Sequence, residues 1–340
     1  MARRDIVVIG GSIGGFQALR TIVAGLPPDF GAALFVVLHV GDRPSRLPEL
    51  LSASGPLPAH HAEDGEPIEE GRIYVAPPDR HLLISRRRIR LSRAPRENWA
   101  RPAVDPLFRS AAAAYGPQVI GVVLSGALND GTDGISTIKR HGGVAVVQDP
   151  ADALDPGMPQ SVLDHTSIDH CVPAAEIAGL LTRLTREEVA LPRRGDGEEV
   201  PSPPSSIPQS VMASEYETEA PAALICPECG GAMRESSLGT LDYYTCHLGH
   251  RFAAPNLSVA QFRQVEQAIE IALRTLGERA ELCRRIAERA RAGGRSRSAE
   301  HWDRARRQAE EHIGVLQRFL KEDWVQPGEE TSAEERTGHC

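Results

Sequence analysis

Between Arg4 and about Arg186, short β-branched apolar runs alternate with segments whose apolar residues recur at helical spacing. Ile6–Ile9, Leu34–Leu38, Val119–Leu124 and Val144–Val147 carry almost no polar side chain, as a strand covered on both faces requires. Phe16, Leu19, Ile22, Val23 and Leu26 predict a helix that Pro27-Pro28 ends. Val104, Leu107, Phe108, Ala111, Ala112 and Tyr115 mark a second, and further helices are expected up to about His141 and over 160–165. A last one places Pro173 at its first position and turns Ile177, Leu180, Leu181 and Leu184 inward. Ile73–Ala76, His81–Ile84, Ile89–Leu91 and His170–Val172 read as short strands, and 42–52 as a loop with a short helix. Buried strands alternating with helices predict an α/β domain with a doubly wound, mostly parallel sheet over 1–188.

The pattern then changes. Residues 189–222 are rich in Pro, Ser, Gly and charge and lack apolar periodicity, so they cannot bury enough surface to offset their ordering entropy and read as a disordered linker. A small unit is expected over 223–256. After it, Phe262, Val265, Ile269, Ala272, Leu276, Cys283, Ile286 and Ala290 form an amphipathic seam, which Trp302, Ala305, Ala309, Leu316 and Phe319 repeat beyond Gly293-Gly294. Residues 257–325 therefore predict an α-helical hairpin or a coiled coil that makes a homodimer, and 326–340 a disordered tail.

Composition narrows the function classes. The formal charge of −8 argues against nucleic acid as the main partner. No apolar run approaches the roughly 20 residues of a membrane span, and the start carries no signal-peptide pattern. Six cysteines in 340 residues are too few for a disulfide framework, so a cytoplasmic protein without membrane insertion is expected.

The turn after the first strand, Gly10-Gly-Ser-Ile-Gly-Gly15, holds one hydroxyl and admits two chemistries: a phosphate cradle or an exposed serine nucleophile. A dinucleotide fingerprint needs a glycine where Ser12 or Ile13 stands and an acidic residue where the second strand ends in His39. A nucleophile needs a base and a group that orients the base. Ser12, His39 and Asp130 each follow a predicted buried strand at its C-terminal end, where α/β sheets gather functional groups. Singly, each has an ordinary alternative: a helix cap, a wall histidine, an Asn-Asp-Gly turn. The basic run Ser85–Arg93 reads either as a solvated hairpin or as a charged face for an acidic, glutamate-rich partner helix.

Cys226-Pro-Glu-Cys229 and Cys246-His-Leu-Gly-His250 provide four soft ligands with the spacing of a structural zinc ribbon. Cys246 and His250 are favoured as the second pair, with His247 as the competing ligand. Segments this short bury little, so the metal would supply folding free energy.

Six motifs stand in a recognisable order. They are Ile9-Gly-Gly-Ser-Ile-Gly-Gly15, Val36-Val-Leu-His39, Gly71-Arg-Ile-Tyr-Val-Ala-Pro77 with Asp79-Arg-His81, Arg101-Pro-Ala-Val-Asp-Pro-Leu-Phe108, Ser125-Gly-Ala-Leu-Asn-Asp-Gly131 and Gly157-Met-Pro159. In this the chain resembles the catalytic domain of the chemotaxis protein-glutamate methylesterase (CheB) family, with a zinc-ribbon extension like that of its receiver-less members. The resemblance implies a carboxylic ester hydrolase acting on glutamyl methyl esters of methyl-accepting chemotaxis receptors, with glutamine deamidation as a second reaction and no cofactor for catalysis. It implies Ser12 as nucleophile, His39 as base and Asp130 as orienting carboxylate, with Ile13, Gly14 and Ala127 near the oxyanion and Arg80, His81 and Met158 along the cleft. A methyltransferase or other signalling proteins are implied as further partners.

This chain departs from the family in reading Gly11-Ser12-Ile13 for the commoner Ala-Ser-Thr and Gly126-Ala127-Leu128 for Gly-Met-Gly. It also starts at the esterase strand, so control by an N-terminal receiver in cis is not expected. The competing expectation is a catalytically weak or inactive docking protein in a chemosensory array.

Overall fold

The computed structural model describes residues 2–39, 45–190, 221–238 and 241–321. Most of the predicted linker and the whole predicted tail lie outside them. Seven parallel strands form the central sheet: β1 (Ile6–Gly11), β2 (Ala33–Leu38), β3 (Ala59–His61), β4 (Ile73–Val75), and, after a separate antiparallel hairpin of β5 (His81–Ser85) and β6 (Arg88–Ser92), β7 (Val119–Val123), β8 (Val144–Gln148) and β9 (His170–Val172). Their order across the sheet is β9-β8-β7-β1-β2-β4-β3. The chain builds outward from β1 on one side and then returns to build from β7 on the other, so the topological switch lies between β1 and β7.

Helices cover both faces. Helix α1 (Gly15–Gly25), the short α2 (Leu47–Ser52) and α6 (Ala174–Leu184) share one apolar core with Val7, Ile9, Leu34 and Val36. Helices α3 (Val104–Tyr115), α4 (Thr132–Arg140) and α5 (Gly157–His165) share the other with Val8, Phe35, Val37 and Val123. Alternate residues of each strand thus point to opposite cores, which is why the strands read as continuous apolar runs. Two details differ from expectation. Pro173 is the cap residue before α6 rather than its first position. The edge strand β3, Ala-His-His, lacks the β-branched signature that would have announced it.

A second, four-stranded antiparallel sheet is built from β10 (Pro221–Ile225), β11 (Ala232–Leu238), β12 (Leu241–Cys246) and β13 (Arg251–Ala253). It belongs to the same compact unit as the parallel sheet, which extends to Leu257. The second unit begins at Ser258 and consists of the remainder of α7 (Ala254–Ala292) and α8 (Ser296–Phe319), with the break at Gly293-Gly294. Arg291 and Asp303 form an ion pair across that break. Among the described residues, no helix is long and apolar enough to cross a membrane.

Candidate active site and metal centre

Parallel pairing of β1 with β2 places Gly11 opposite Leu38, so Ser12 and His39 each stand one residue beyond the last paired position of neighbouring strands. The His39 backbone N–H donates back to the Gly11 carbonyl at 3.3 Å. The Ser12 N–H donates to the Ser125 carbonyl at 2.9 Å, which ties the serine turn to the loop after β7. The Ser125 hydroxyl donates in turn to the Ile13 carbonyl at 2.7 Å. Gly126 presses against the serine: a Cβ there would lie 2.8 Å from the Ser12 Cβ and 2.3 Å from the Met158 Sδ. Only a residue without a side chain permits that approach.

The same loop carries Asp130. His39 Nε2 lies 2.8 Å from Asp130 Oδ2, and the carboxylate is 2% exposed. Its other partners come from the region where α3 begins. Val104 N–H donates to Oδ2 at 2.7 Å, while Asp105 N–H and Asn98 Nδ2 both donate to Oδ1 at 3.2 Å. Burial pushes the carboxyl pKa up, but the His39 hydrogen bond, attraction to His39 and the two backbone donors outweigh it and hold Asp130 below its ordinary value. Asp130 is thus an ionised hydrogen-bond acceptor fixed on both oxygens. With the Nε2 proton held by Asp130, Nδ1 is the ring nitrogen left to take a proton.

The other predicted cleft residues are placed as follows. Ile13 is 57% exposed and Gly14 takes the left-handed conformation that turns the chain into α1. Among the described residues the N–H groups of Ile13, Gly14 and Ala127 have no internal acceptor, whereas that of Gly126 is used by the Asp155 carbonyl at 3.0 Å. Met158 is fully buried, and its N–H donates to the Gly126 carbonyl. Arg80 is half-buried. His81 is buried, with Nε2 donating to the Pro95 carbonyl at 3.0 Å and Nδ1 accepting from Ala103 N–H at 3.3 Å, so its ring braces the approach to α3 rather than facing solvent. Burial pulls its pKa down, which keeps that ring neutral.

Several residues escaped the reading of the sequence. Asp105 is buried and accepts from Gly131 N–H, Gly134 N–H and Asn98 Nδ2 at 3.0, 2.8 and 3.1 Å, which fixes the loop around Asp130. Burial and the neighbouring charges of Asp130 and Asp133 push its pKa well up. It lies within the quoted Arg101–Phe108 motif, the one signal that could have found it. Asn129, adjacent to Asp130, is 2% exposed, and neither heteroatom of its amide has a hydrogen-bond partner among the described residues.

In the antiparallel sheet, one ligand atom from each of Cys226, Cys229, Cys246 and His250 lies within 4.8 Å of the others. Cys229 and Cys246 sulfurs are 3.6 Å apart, and His250 Nδ1 lies 3.5 Å from Cys246 Sγ and 3.7 Å from Cys226 Sγ. A tetrahedron with metal–sulfur bonds of about 2.3 Å and a metal–nitrogen bond of about 2.0 Å has edges of about 3.5–3.8 Å, so the four groups fit one tetrahedral ion. Each ligand pair sits on a turn that folds back on itself: Gly230 N–H donates to the Cys226 carbonyl, and Gly249 N–H to the Cys246 carbonyl, both at 2.9 Å. His247 packs over Gly231 instead.

A doubly wound sheet with a serine turn, a histidine and a buried aspartate gathered beyond its strand ends belongs to the hydrolase-like α/β proteins. Comparison with known proteins makes this specific: a family model described as CheB methylesterase matches residues 7–181, and the chain belongs to that family. A relative from Leptospira interrogans, carrying the name protein-glutamate methylesterase/protein-glutamine glutaminase, is 40% identical over 190 residues, covering 54% of this chain and 97% of its own. Protein-glutamate methylesterase/protein-glutamine glutaminase 2 of Anaeromyxobacter dehalogenans is 40% identical over 186 residues, covering 54% of each chain. The crystal structure of the Thermotoga maritima CheB methylesterase catalytic domain superposes with a TM-score of 0.51 at 34% identity, covering 54% of this chain and 99% of that one.

Proposed function

We propose that this chain is a protein-glutamate methylesterase that hydrolyses glutamyl methyl esters on methyl-accepting chemotaxis receptors, and that it deamidates receptor glutamines through the same acyl-enzyme. The observation that carries the reading is the hydrogen bond from His39 to a buried, ionised Asp130 beside the serine turn. As the Ser12 Oγ bonds to the ester carbonyl carbon, its proton passes to His39 Nδ1 and Asp130 stabilises the resulting imidazolium. The unsatisfied N–H groups of Ile13 and Ala127 are the donors available to the developing oxyanion. Collapse breaks the bond to the methoxy oxygen, which takes the proton from His39 and leaves as methanol. A water molecule then gives a proton to His39 and attacks the acyl-enzyme, releasing the glutamate side chain and restoring Ser12.

Cys226, Cys229, Cys246 and His250 would hold a structural Zn²⁺, whose binding contributes folding free energy to the small sheet. No catalytic step passes through it.

The test is methanol release from receptor membranes carrying radiolabelled methyl groups. The full chain should release labelled methanol and Ser12→Ala should not. No release by the full chain with any methylated receptor would refute the reading.

A further inference from the structure

The hydrolytic scheme leaves unused a buried polar cluster next to the Asp130 loop, and two of its members, Arg251 and Tyr243, come from the metal-binding sheet. Arg251, the residue after the ligand His250, is 3% exposed. Its Nη1 lies 2.6 Å from Asp133 Oδ2, and its guanidinium stacks 4.0 Å from the Tyr243 ring centre. Arg109 binds the same Asp133 oxygen at 2.8 Å and both oxygens of Glu97 at 2.7 and 2.8 Å.

Next to Glu97, Asn98 faces two ways. Its backbone N–H donates to the Arg251 carbonyl at 2.8 Å, and its Oδ1 accepts from Ala253 N–H at 3.1 Å, so two bonds tie it to β13. Its Nδ2 donates to Asp130 Oδ1 and to Asp105 Oδ2. Among the described residues, Asn98 alone bonds both to the strand leaving the metal centre and to the carboxylate that orients His39.

The backbone around it is strained in a way that requires support. Asn98 and Trp99 have φ of 49° and 64° at the centre of a tight turn closed by hydrogen bonds between Glu97 and Ala100. Asparagine tolerates that conformation, but a bulky aromatic residue rarely adopts it. What opposes relaxation is again β13: the Trp99 ring packs against Phe252 at 6.2 Å. Strained turns of this kind persist where the surroundings over-determine them.

We infer that Asn98 is a positioning residue for Asp130, and that the metal-held sheet is the scaffold that keeps Asn98 in place, so that metal loading sets the competence of the hydrolytic site. The inference rests on the proposed roles of Ser12, His39 and Asp130. It assigns the four-ligand centre a task beyond its own folding, because losing the metal would free β13, release the Asn98 turn and leave Asp130 with fewer donors.

The experiment uses the full chain, stripped of metal by a chelator and then reloaded with Zn²⁺. Two readouts are taken: steady-state methanol release, and the low-field proton resonance of the His39–Asp130 hydrogen bond. Stripping should lower kcat about tenfold, on the scale of one hydrogen bond to a charged group, with KM little changed, and reloading should restore it. The low-field resonance should shift or broaden in parallel. Asn98→Ala in the loaded protein should reproduce both changes, and stripping that variant should cost almost nothing further, because the two perturbations act on one link. Thermal melting of the parallel-sheet core separates this effect from global unfolding.

Undiminished kcat with an unmoved resonance after stripping, in protein shown by metal analysis to be empty, overturns the inference while leaving the esterase standing. Fully additive losses from stripping and Asn98→Ala overturn it as well. If the loaded chain releases no methanol at all, the hydrolytic proposal fails instead, and the resonance still reports whether the sheet controls the His39–Asp130 bond.

Discussion

His39 Nε2 and Asp130 Oδ2 lie 2.8 Å apart although 91 residues separate them in the chain. Two parallel strands, β2 and β7, flank β1 and bring these side chains to the same C-terminal end of the sheet, beside the turn that presents Ser12. The carboxylate is saturated: each oxygen accepts two hydrogen bonds. Asp130→Asn should therefore do more than remove a charge, because an amide must present an N–H₂ group to a set of donors. The expected loss in kcat is on the order of 10³-fold or more, with the fold kept, as judged by methanol release together with circular dichroism. A loss below tenfold would show that His39 does not depend on this partner.

Gly126→Ala tests the contact between the Asp130 loop and the serine turn. The added methyl would collide with Met158 Sδ and Ser12 Cβ, and one of them has to move. Moving Ser12 should slow acylation at least tenfold while substrate binding changes little, since misplacement of a reacting group acts on the chemical step. Unchanged pre-steady-state acylation would mean that the collision is absorbed by Met158.

The ion pairs behind the site predict a pH dependence. Burial raises the Asp133 pKa, but Arg251 and Arg109 outweigh it and bring the carboxyl down to about 2, below its ordinary 3.8. A depressed carboxyl contributes stability that is present above the unfolded pKa and is lost as pH falls through the folded one. Asp133 should thus contribute about 2 kcal/mol near neutrality, fading between about pH 4 and pH 2. Arg251→Met, which removes one partner of a buried pair, should cost about 3 kcal/mol near pH 7. The difference from wild type in urea melts should shrink as pH falls below about 4. A difference that stays constant down to pH 2 would contradict the assignment.

Metal content tests the ligand set. About one zinc per chain is expected, lost when Cys226 and Cys229 become serine and lost in His250→Ala, but kept in His247→Ala because His247 packs on Gly231. Elemental analysis of the purified variants reads this directly. Zinc retained in His250→Ala and absent from His247→Ala would reverse the choice.

The sheet and the ends of its strands were legible because a strand covered on both faces leaves an uninterrupted apolar run, and the residue after the run stands at the strand's C-terminal end. His39 directly follows such a run, whereas Ser12 and Asp130 lie in the loops beyond theirs and were singled out by residue type together with that placement. The clustering of Cys226, Cys229, Cys246 and His250 was legible from spacing, because each pair sits on one tight turn. Asn98, Arg109 and Arg251 were not. Ala253 N–H and Asn98 Oδ1 are joined across 155 residues, and no periodicity in either segment announces the other. An isolated arginine reads as surface until a buried partner is known, yet Arg251 is 3% exposed. His81 shows the same limit in reverse: the family resemblance put it along the cleft, but only the tertiary structure shows both ring nitrogens bonded to backbone.

The central claim is that Ser12 is a nucleophile activated by His39, and covalent trapping tests it most directly. A fluorophosphonate probe should label the full chain at one site, identified by peptide mass spectrometry as Ser12, with labelling abolished in Ser12→Ala and His39→Ala. Labelling at another serine, or labelling that persists in His39→Ala at the wild-type rate, would contradict it.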